Sequence, residues 1–347
     1  MPALRRAPCL VAFSGGRDSS LLLAAAVAAA KRVGAPAPVA ATLVYPDVPE
    51  ADESRWQERV VRHLGVGDWL RLEIRDELDL VGPLATAGLE RHGLRFPANG
   101  HSLNPLMEAA AGGTLVTGLG GDELLTGNRW TPLNYALARR RRPQVADVQA
   151  LGLACVPRPL RVRIQRSRGP APPGLGWLTD EANRRRRRLL TPLAGEPVRW
   201  SRAVHEAAST RAVRLAMETI RLHGRELGVD VRAPLIEPAV VAALCRAGGA
   251  RGWGGRSAAM RAIAGDRLPE AVSSRKDKAF FNSVFFGERV RAFAASWSGE
   301  GVDATLVNAQ ALRSEWLSEC PDIRSALLLQ AAWLHDHAGL VARPVAA

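Results

Sequence analysis

The chain has 347 residues, 47% of them hydrophobic, and a formal net charge of +13. That length can bury a sizeable core, and no charge-free apolar run reaches the roughly 18 residues that a membrane span needs. The four cysteines, Cys9, Cys155, Cys245 and Cys320, form no CxxC pair, which speaks against a zinc site or a disulfide framework and for a reducing cytoplasm.

In chain order, residues 9–13 (CLVAF) predict a buried strand and 19–33 a helix ending at Gly34. Residues 39–45 (VAATLVY) predict a second strand, Pro46 to Pro49 a turn, and 52–64 an amphipathic helix stopped by Gly65. A third strand follows at 69–74, a helix at 105–111, and a fourth apolar run at 114–118 that leads into Gly120-Gly121-Asp122-Glu123. Strands alternating with helices predict an α/β fold with a doubly wound parallel sheet. Beyond about residue 130 the character changes. Arg139–Arg142 and Arg184–Arg188 are basic runs, and 157–180 reads as a long loop. Helices are predicted at 203–227, 238–247, 256–264, 287–297, 309–318 and 323–337, giving a mostly helical C-terminal half. The expected organisation is one domain over 1–347: an α/β core at about 8–130, an Arg/Pro-rich variable segment at about 131–200, and a helical part at about 201–340.

The stretch SGGRDSS, residues 14–20, sits where the first strand becomes the first helix. Free backbone N–H groups and the positive end of a helix dipole meet there, which makes an anion site. Gly15 and Gly16 let a bulky ligand approach the backbone, and Ser14, Ser19 and Ser20 can donate to phosphate oxygens. Asp18 would repel a bare phosphate, so its presence points to a divalent cation between it and the phosphates. The pattern is neither GxxxxGK[ST] nor GxGxxG. Asp122 follows the fourth strand, where by itself it reads as a helix N-terminal acid favoured by the dipole. Only three lysines occur, and two of them, Lys276 and Lys278, fall in RKDKAFF. A compact ammonium is kept there where the rest of the chain uses guanidinium.

SGGRDSS resembles the pyrophosphate-binding loop of the N-type ATP pyrophosphatases. Three further stretches resemble the synthetase domain of asparagine synthetase, in family order: TGLGGDE (117–123), GVDVRAPLIEPAVV (228–241) and LPEAVSSRKDKAFF (268–281). The resemblance implies ATP and Mg²⁺ as cofactors and carboxylate activation through an acyl-adenylate. It implies Lys278 as the catalytic lysine, with Lys276 on the Arg/Lys position two residues earlier. It also implies Ala12 and Leu43 around adenine, Thr117 and Gly118 on the AMP portion, and Asp18 and Asp122 on the metal.

Two departures from asparagine synthetase shape the expected function. The chain reaches the ATP loop within its first residues, which leaves no room for the family's N-terminal glutaminase. Leu119 stands where the family carries a Glu that assists the amine chemistry, and Leu can neither accept a proton nor hold ammonium. These favour an amide or macrolactam synthetase joining a small-molecule or peptide carboxylate to an amine. The alternatives are an asparagine-forming enzyme using ammonia or a partner glutaminase, a tRNA-modifying ATP pyrophosphatase, and a non-catalytic nucleotide binder. Asp180 and Glu181 are candidate bases in the place of the missing Glu. The Arg runs read as a solvated basic surface, with an acidic peptide substrate or leader as the other reading; a separate glutaminase-like or leader-peptide-binding protein is a candidate partner, and nucleic acid and membrane are not expected ones. The histidines show no metal-ligand spacing.

Overall fold

Five parallel strands form one sheet in the computed structural model, in the order β3-β2-β1-β4-β5. The structure describes residues 2–125, 155–168, 174–190, 199–275 and 279–337, together with Val145, Gly152, Pro197 and Asp277. The strands are β1 (Cys9–Ala12), β2 (Val39–Val44), β3 (Trp69–Glu73), β4 (Thr114–Val116) and β5 (Asp230–Arg232). From β1 the chain winds outward through β2 and β3, then returns to place β4 on the other side of β1. Between the carboxyl ends of β1 and β4 lies the point where the winding reverses, and open parallel sheets bind ligands at such points.

The inner strands β1, β2 and β4 are buried on both faces, as their short apolar runs require, while edge strand β3 exposes Arg71 and Glu73. Side chains alternate along each strand. Val11, Ala40 and Val116 enter one apolar cluster, and Leu10, Ala41 and Leu115 enter another. The first cluster is completed by α1 (Arg17–Val33), through Leu21, Leu22, Leu23 and Val27, and by helices Trp200–Ala208 and Arg256–Ala264. On the opposite face lie Leu106 and Met107, with Met217 and Ile220 of helix Arg211–Glu226. A third cluster, containing Trp177, Trp297 and Trp316, builds the C-terminal part. Burying each such Leu or Val contributes about 1.5–3 kcal/mol. Gly34 closes α1 in a left-handed conformation (φ 63°), donating its N–H to Ala30 O. The other helices of the α/β half are α2 (Ser54–Leu64), α3 (Pro83–His92), α4 (Asn104–Ala109) and α5 (Gly121–Leu125).

Several expectations need correction. The single helix expected over 203–227 is two, Trp200–Ala208 and Arg211–Glu226. They part at Ser209 and Thr210, and the Thr210 side chain accepts from Val213 N–H to cap the second. The loop expected at 157–180 contains helix Arg158–Arg168, and the run Arg184–Arg188 lies within helix Asp180–Leu190. The run Arg139–Arg142 lies outside the described residues. The four cysteines are free. Among the described residues no helix is long and apolar enough to cross a membrane.

Candidate active site

The loop after β1 is set by its neighbours before any ligand is considered. Phe13 N–H donates to Ala41 O (2.7 Å), and Phe13 O accepts from the Thr42 hydroxyl (2.7 Å). These bonds fix the exit of β1 against β2. The chain then turns through Ser14, Gly15 and Gly16 into α1. Gly15 has φ 81°, and a Cβ there would lie 2.8 Å from Gln57 Cγ, so the turn requires glycine. The loop's own hydroxyls tie it together: Ser14 N–H donates to Ser19 Oγ (3.2 Å), Gly16 N–H to Ser14 Oγ (3.3 Å), and Ser19 Oγ–H to Gly16 O (3.1 Å). No side chain caps α1, which leaves its leading N–H groups for a ligand.

Two carboxylates flank this helix end. Asp18 lies in the first turn of α1 and Asp122 in that of α5. Gly121 permits their approach, since a Cβ there would stand 2.3 Å from Asp18 Cγ. The Arg256 guanidinium sits between the acids, donating through Nη1 to Asp122 Oδ1 (2.5 Å) and through Nη2 to Asp18 Oδ2. Burial works against the Arg256 charge, but the bonds to Asp18 and Asp122 outweigh it and raise its pKa. Arg17, beside them, is held below the usual range by burial first and by Arg256 second. Asp18 Oδ1 is buried and has no hydrogen-bond partner. An orphaned carboxylate oxygen beside a second acid fits Mg²⁺, which takes one or two carboxylates and fills its remaining positions from water and phosphate. Among the described residues no group of three or more His, Cys, Asp and Glu could hold a metal by itself.

A cavity of about 440 Å³ opens beside these groups at the carboxyl ends of β1, β2 and β4, a volume typical of small-molecule sites. Its wall brings together Ala12, Ser14, Gly16, Asp18, Ser19, Leu43, Thr117, Gly118 and Asp122 from the sequence-predicted set. Gly15 and Ser20 are not on that wall; Ser20 is fully buried, with its hydroxyl 3.5 Å from Gly15 O. Lys276 and Lys278 lie outside the described residues, while Arg275, Asp277 and Ala279 line the cavity. Leu119 packs in part against the apolar cluster that contains Leu106 and Leu115. Neither Asp180 nor Glu181 reaches the cavity wall, and Glu181 is ion-paired with Arg184 (3.0 Å) and Arg185 (2.8 Å).

The wall also holds residues that were not among the predicted site residues: Arg17 and Arg275, which lie within the sequence motifs, and Tyr45, Glu53, Gln57 and Arg256, which lie outside them. Tyr45 stands edge-on to Phe281 (centroids 5.9 Å apart), and burial pushes its phenol up to about 12, so it stays protonated. Arg275 and Glu53 form a buried pair, Nη1 to Oε2 (2.5 Å) and Nη2 to Oε1 (2.8 Å). The signal for Glu53 was its place at the start of α2 in DESRW, and for Arg275 its adjacency to the two lysines.

Comparison with known proteins adds one finding. The family model described as asparagine synthase matches residues 3–335. No match was found among curated proteins.

Proposed function

Because the chain belongs to the asparagine synthase family, whose members are ATP-dependent, amide-forming synthetases, we propose that it adenylates a metabolite or peptide carboxylate and joins it to an amine other than free ammonia. The observation that carries this reading is the uncapped N-terminus of α1 opening, with Asp18 and Asp122 beside it, on the cavity between β1 and β4. A carboxylate oxygen of the substrate attacks the α-phosphorus of ATP. The bond to the bridging oxygen breaks, and pyrophosphate leaves. The amine nitrogen then attacks the acyl carbon, loses a proton, and AMP departs with the bonding pair.

This chain's share is alignment and charge. The leading N–H groups of α1, with Ser14 and Ser19, bind phosphate oxygens. Leu43 and Ala12 offer an apolar seat for the base, and Thr117 and Gly118 face the AMP portion. Asp18 and Asp122 would hold Mg²⁺ once Arg256 yields them. Bound Mg²⁺ supplies neutralisation of the triphosphate charge. Lys278, which the family resemblance marks, neutralises charge building on the α-phosphate and the leaving pyrophosphate. Leu119 supports the choice of amine, because it offers no acceptor for an ammonium proton.

Mass spectrometry of the purified chain with Mg-ATP, aspartate and ammonium tests the reading. The expected result is no asparagine, with AMP and pyrophosphate appearing only when other carboxylates carrying or accompanied by an amine are supplied. Asparagine formation that disappears in Lys278→Ala would overturn the argument from Leu119 and make ammonia, free or from a partner glutaminase, the nucleophile.

A further inference from the structure

We propose that the first turn of α2 is a positioning bracket: Glu53, with Trp56 and Gln57, holds the Gly-rich loop in one register with Arg275, Asp277 and Ala279, so that a triphosphate binds between two loops fixed as a unit. The inference rests on the nucleotide reading above.

The two loops are far apart in the chain and meet on α2. Glu53 is 6% exposed, and both of its oxygens are engaged. Oε2 accepts from Arg275 Nη1, and Oε1 accepts from Arg275 Nη2 and from the Ala279 N–H (3.1 Å). Arg275 Nη1 also donates to Gly15 O (3.2 Å), a carbonyl of the Gly-rich loop. Its guanidinium lies 4.6 Å from the centroid of the Trp56 ring, a favourable stacking contact. Trp56 Nε1 donates to Asp277 Oδ2 (3.2 Å), and Arg275 Nε to Asp277 Oδ1 (3.2 Å). Next along the helix, Gln57 Nε2 donates to Ser14 O (3.2 Å), and its Cγ fills the space that a Gly15 Cβ would need. One helical turn thus grips residues 14 and 15 on one side and 275, 277 and 279 on the other.

A buried ion pair is poor value for stability alone, because apolar residues of similar volume often do as well. What the pair does supply is geometry. A guanidinium fork accepts a carboxylate in one planar arrangement, and here the same fork carries the bond to Gly15 O. Glu53 is not a candidate base, since each of its oxygens already accepts a hydrogen bond from Arg275. It acts through Arg275 and Ala279.

The discriminating variant is Glu53→Gln, read by calorimetric affinities for Mg-ATP and for AMP and by the rate of tryptic cleavage within 275–279. If Arg275 were simply a phosphate ligand, releasing it from Glu53 would tighten Mg-ATP binding. If Glu53 brackets the loops, Mg-ATP binding weakens by about ten-fold or more, while AMP binding stays within about two-fold, because misplacing a charge-binding loop costs the phosphates and not the base. Cleavage within 275–279 is expected to accelerate by a similar factor. Glu53→Gln/Arg275→Met strands no charge and serves if the single variant does not fold; faster cleavage after Lys276 and Lys278 is then the expected result. Unchanged or tighter Mg-ATP binding in Glu53→Gln, or cleavage at the wild-type rate in whichever variant folds, overturns the bracket. If the wild type itself binds no Mg-ATP, the nucleotide reading fails, and the cleavage rate alone decides whether α2 registers the two loops.

Discussion

Arg256 closes on Asp18 across the cavity floor, and the same guanidinium reaches Asp122. One cation from helix Arg256–Ala264 thereby compensates two acids brought side by side by α1 and α5. Removing it takes the shared cation from between the two carboxylates and leaves Arg17 as the charge beside them. The Arg256→Gln variant is therefore expected to bind Mn²⁺ in the absence of nucleotide about ten-fold more tightly than the wild type, since the largely buried Asp18 loses the ion pair that competes with a metal. Electron paramagnetic resonance of free Mn²⁺ measures this. Adding Asp18→Asn should abolish the gain, and a variant that shows no gain would mean that Arg256 does not occupy the metal's place.

Gly121 is the steric condition for that arrangement. Its absent Cβ would overlap the Asp18 carboxylate. Gly121→Ala is expected to cost about 1–3 kcal/mol in urea unfolding, as overpacking does, and to weaken Mg-ATP binding by about ten-fold through displacement of Asp18. Gly67→Ala is the matched control. A Cβ at Gly67 meets nothing within 4 Å, and its effect should stay within about 0.5 kcal/mol.

His101 makes acid sensitivity local. It is 3% exposed, hydrogen-bonds Leu78 O (3.0 Å), and burial lowers its pKa to about 4. In the unfolded chain a histidine titrates near 6.5. Below that value the unfolded state binds a proton that the folded state refuses, so this contribution is fully present above about pH 6.5 and is lost as pH falls towards 4. At about pH 4.5 the loss amounts to about 2–3 kcal/mol relative to neutral pH. Urea titrations at the two pH values should show His101→Gln losing less stability than the wild type by about that amount.

Thr210 carries the break between two helices that the sequence pattern runs together. Its hydroxyl accepts from Val213 N–H, and Thr210→Ala is expected to destabilise the chain by about 1 kcal/mol, measured by thermal and urea unfolding.

That break illustrates what could be read in advance. β1, β2 and β4 were legible because each is a short apolar run with residues buried on alternate faces, as Leu10 and Val11 are, and β3 because Leu70 and Leu72 alternate with Arg71 and Glu73. β5 was not, because a three-residue strand with Asp230 and Arg232 at its ends carries almost no periodic signal. Helix Arg158–Arg168 was hidden by its composition: with so few apolar residues it reads as solvated loop, yet Arg161 is buried within it. In the site, the Gly-rich loop and Asp122 were visible because they are contiguous motifs at strand ends. Arg256 and Gln57 were invisible because their roles exist only in contacts between distant segments, and Glu53 showed only as an acid at a helix start. Ser20 shows the converse: a motif residue whose side chain the fold turns inward, away from the cavity wall.

Leu125 at the end of α5 and Trp200 at the start of its helix are buried in the same apolar cluster. The span between them is not anchored at its ends alone: Trp177 is buried with Trp297 and Trp316, and Thr179 N–H donates to Leu306 O (3.0 Å). Where both ends of a stretch are pinned, doubling its length costs only about 0.6 kcal/mol in closure entropy. Length can therefore drift under selection on either side of Trp177, whereas exchange of the whole span would strip a tryptophan from the C-terminal core.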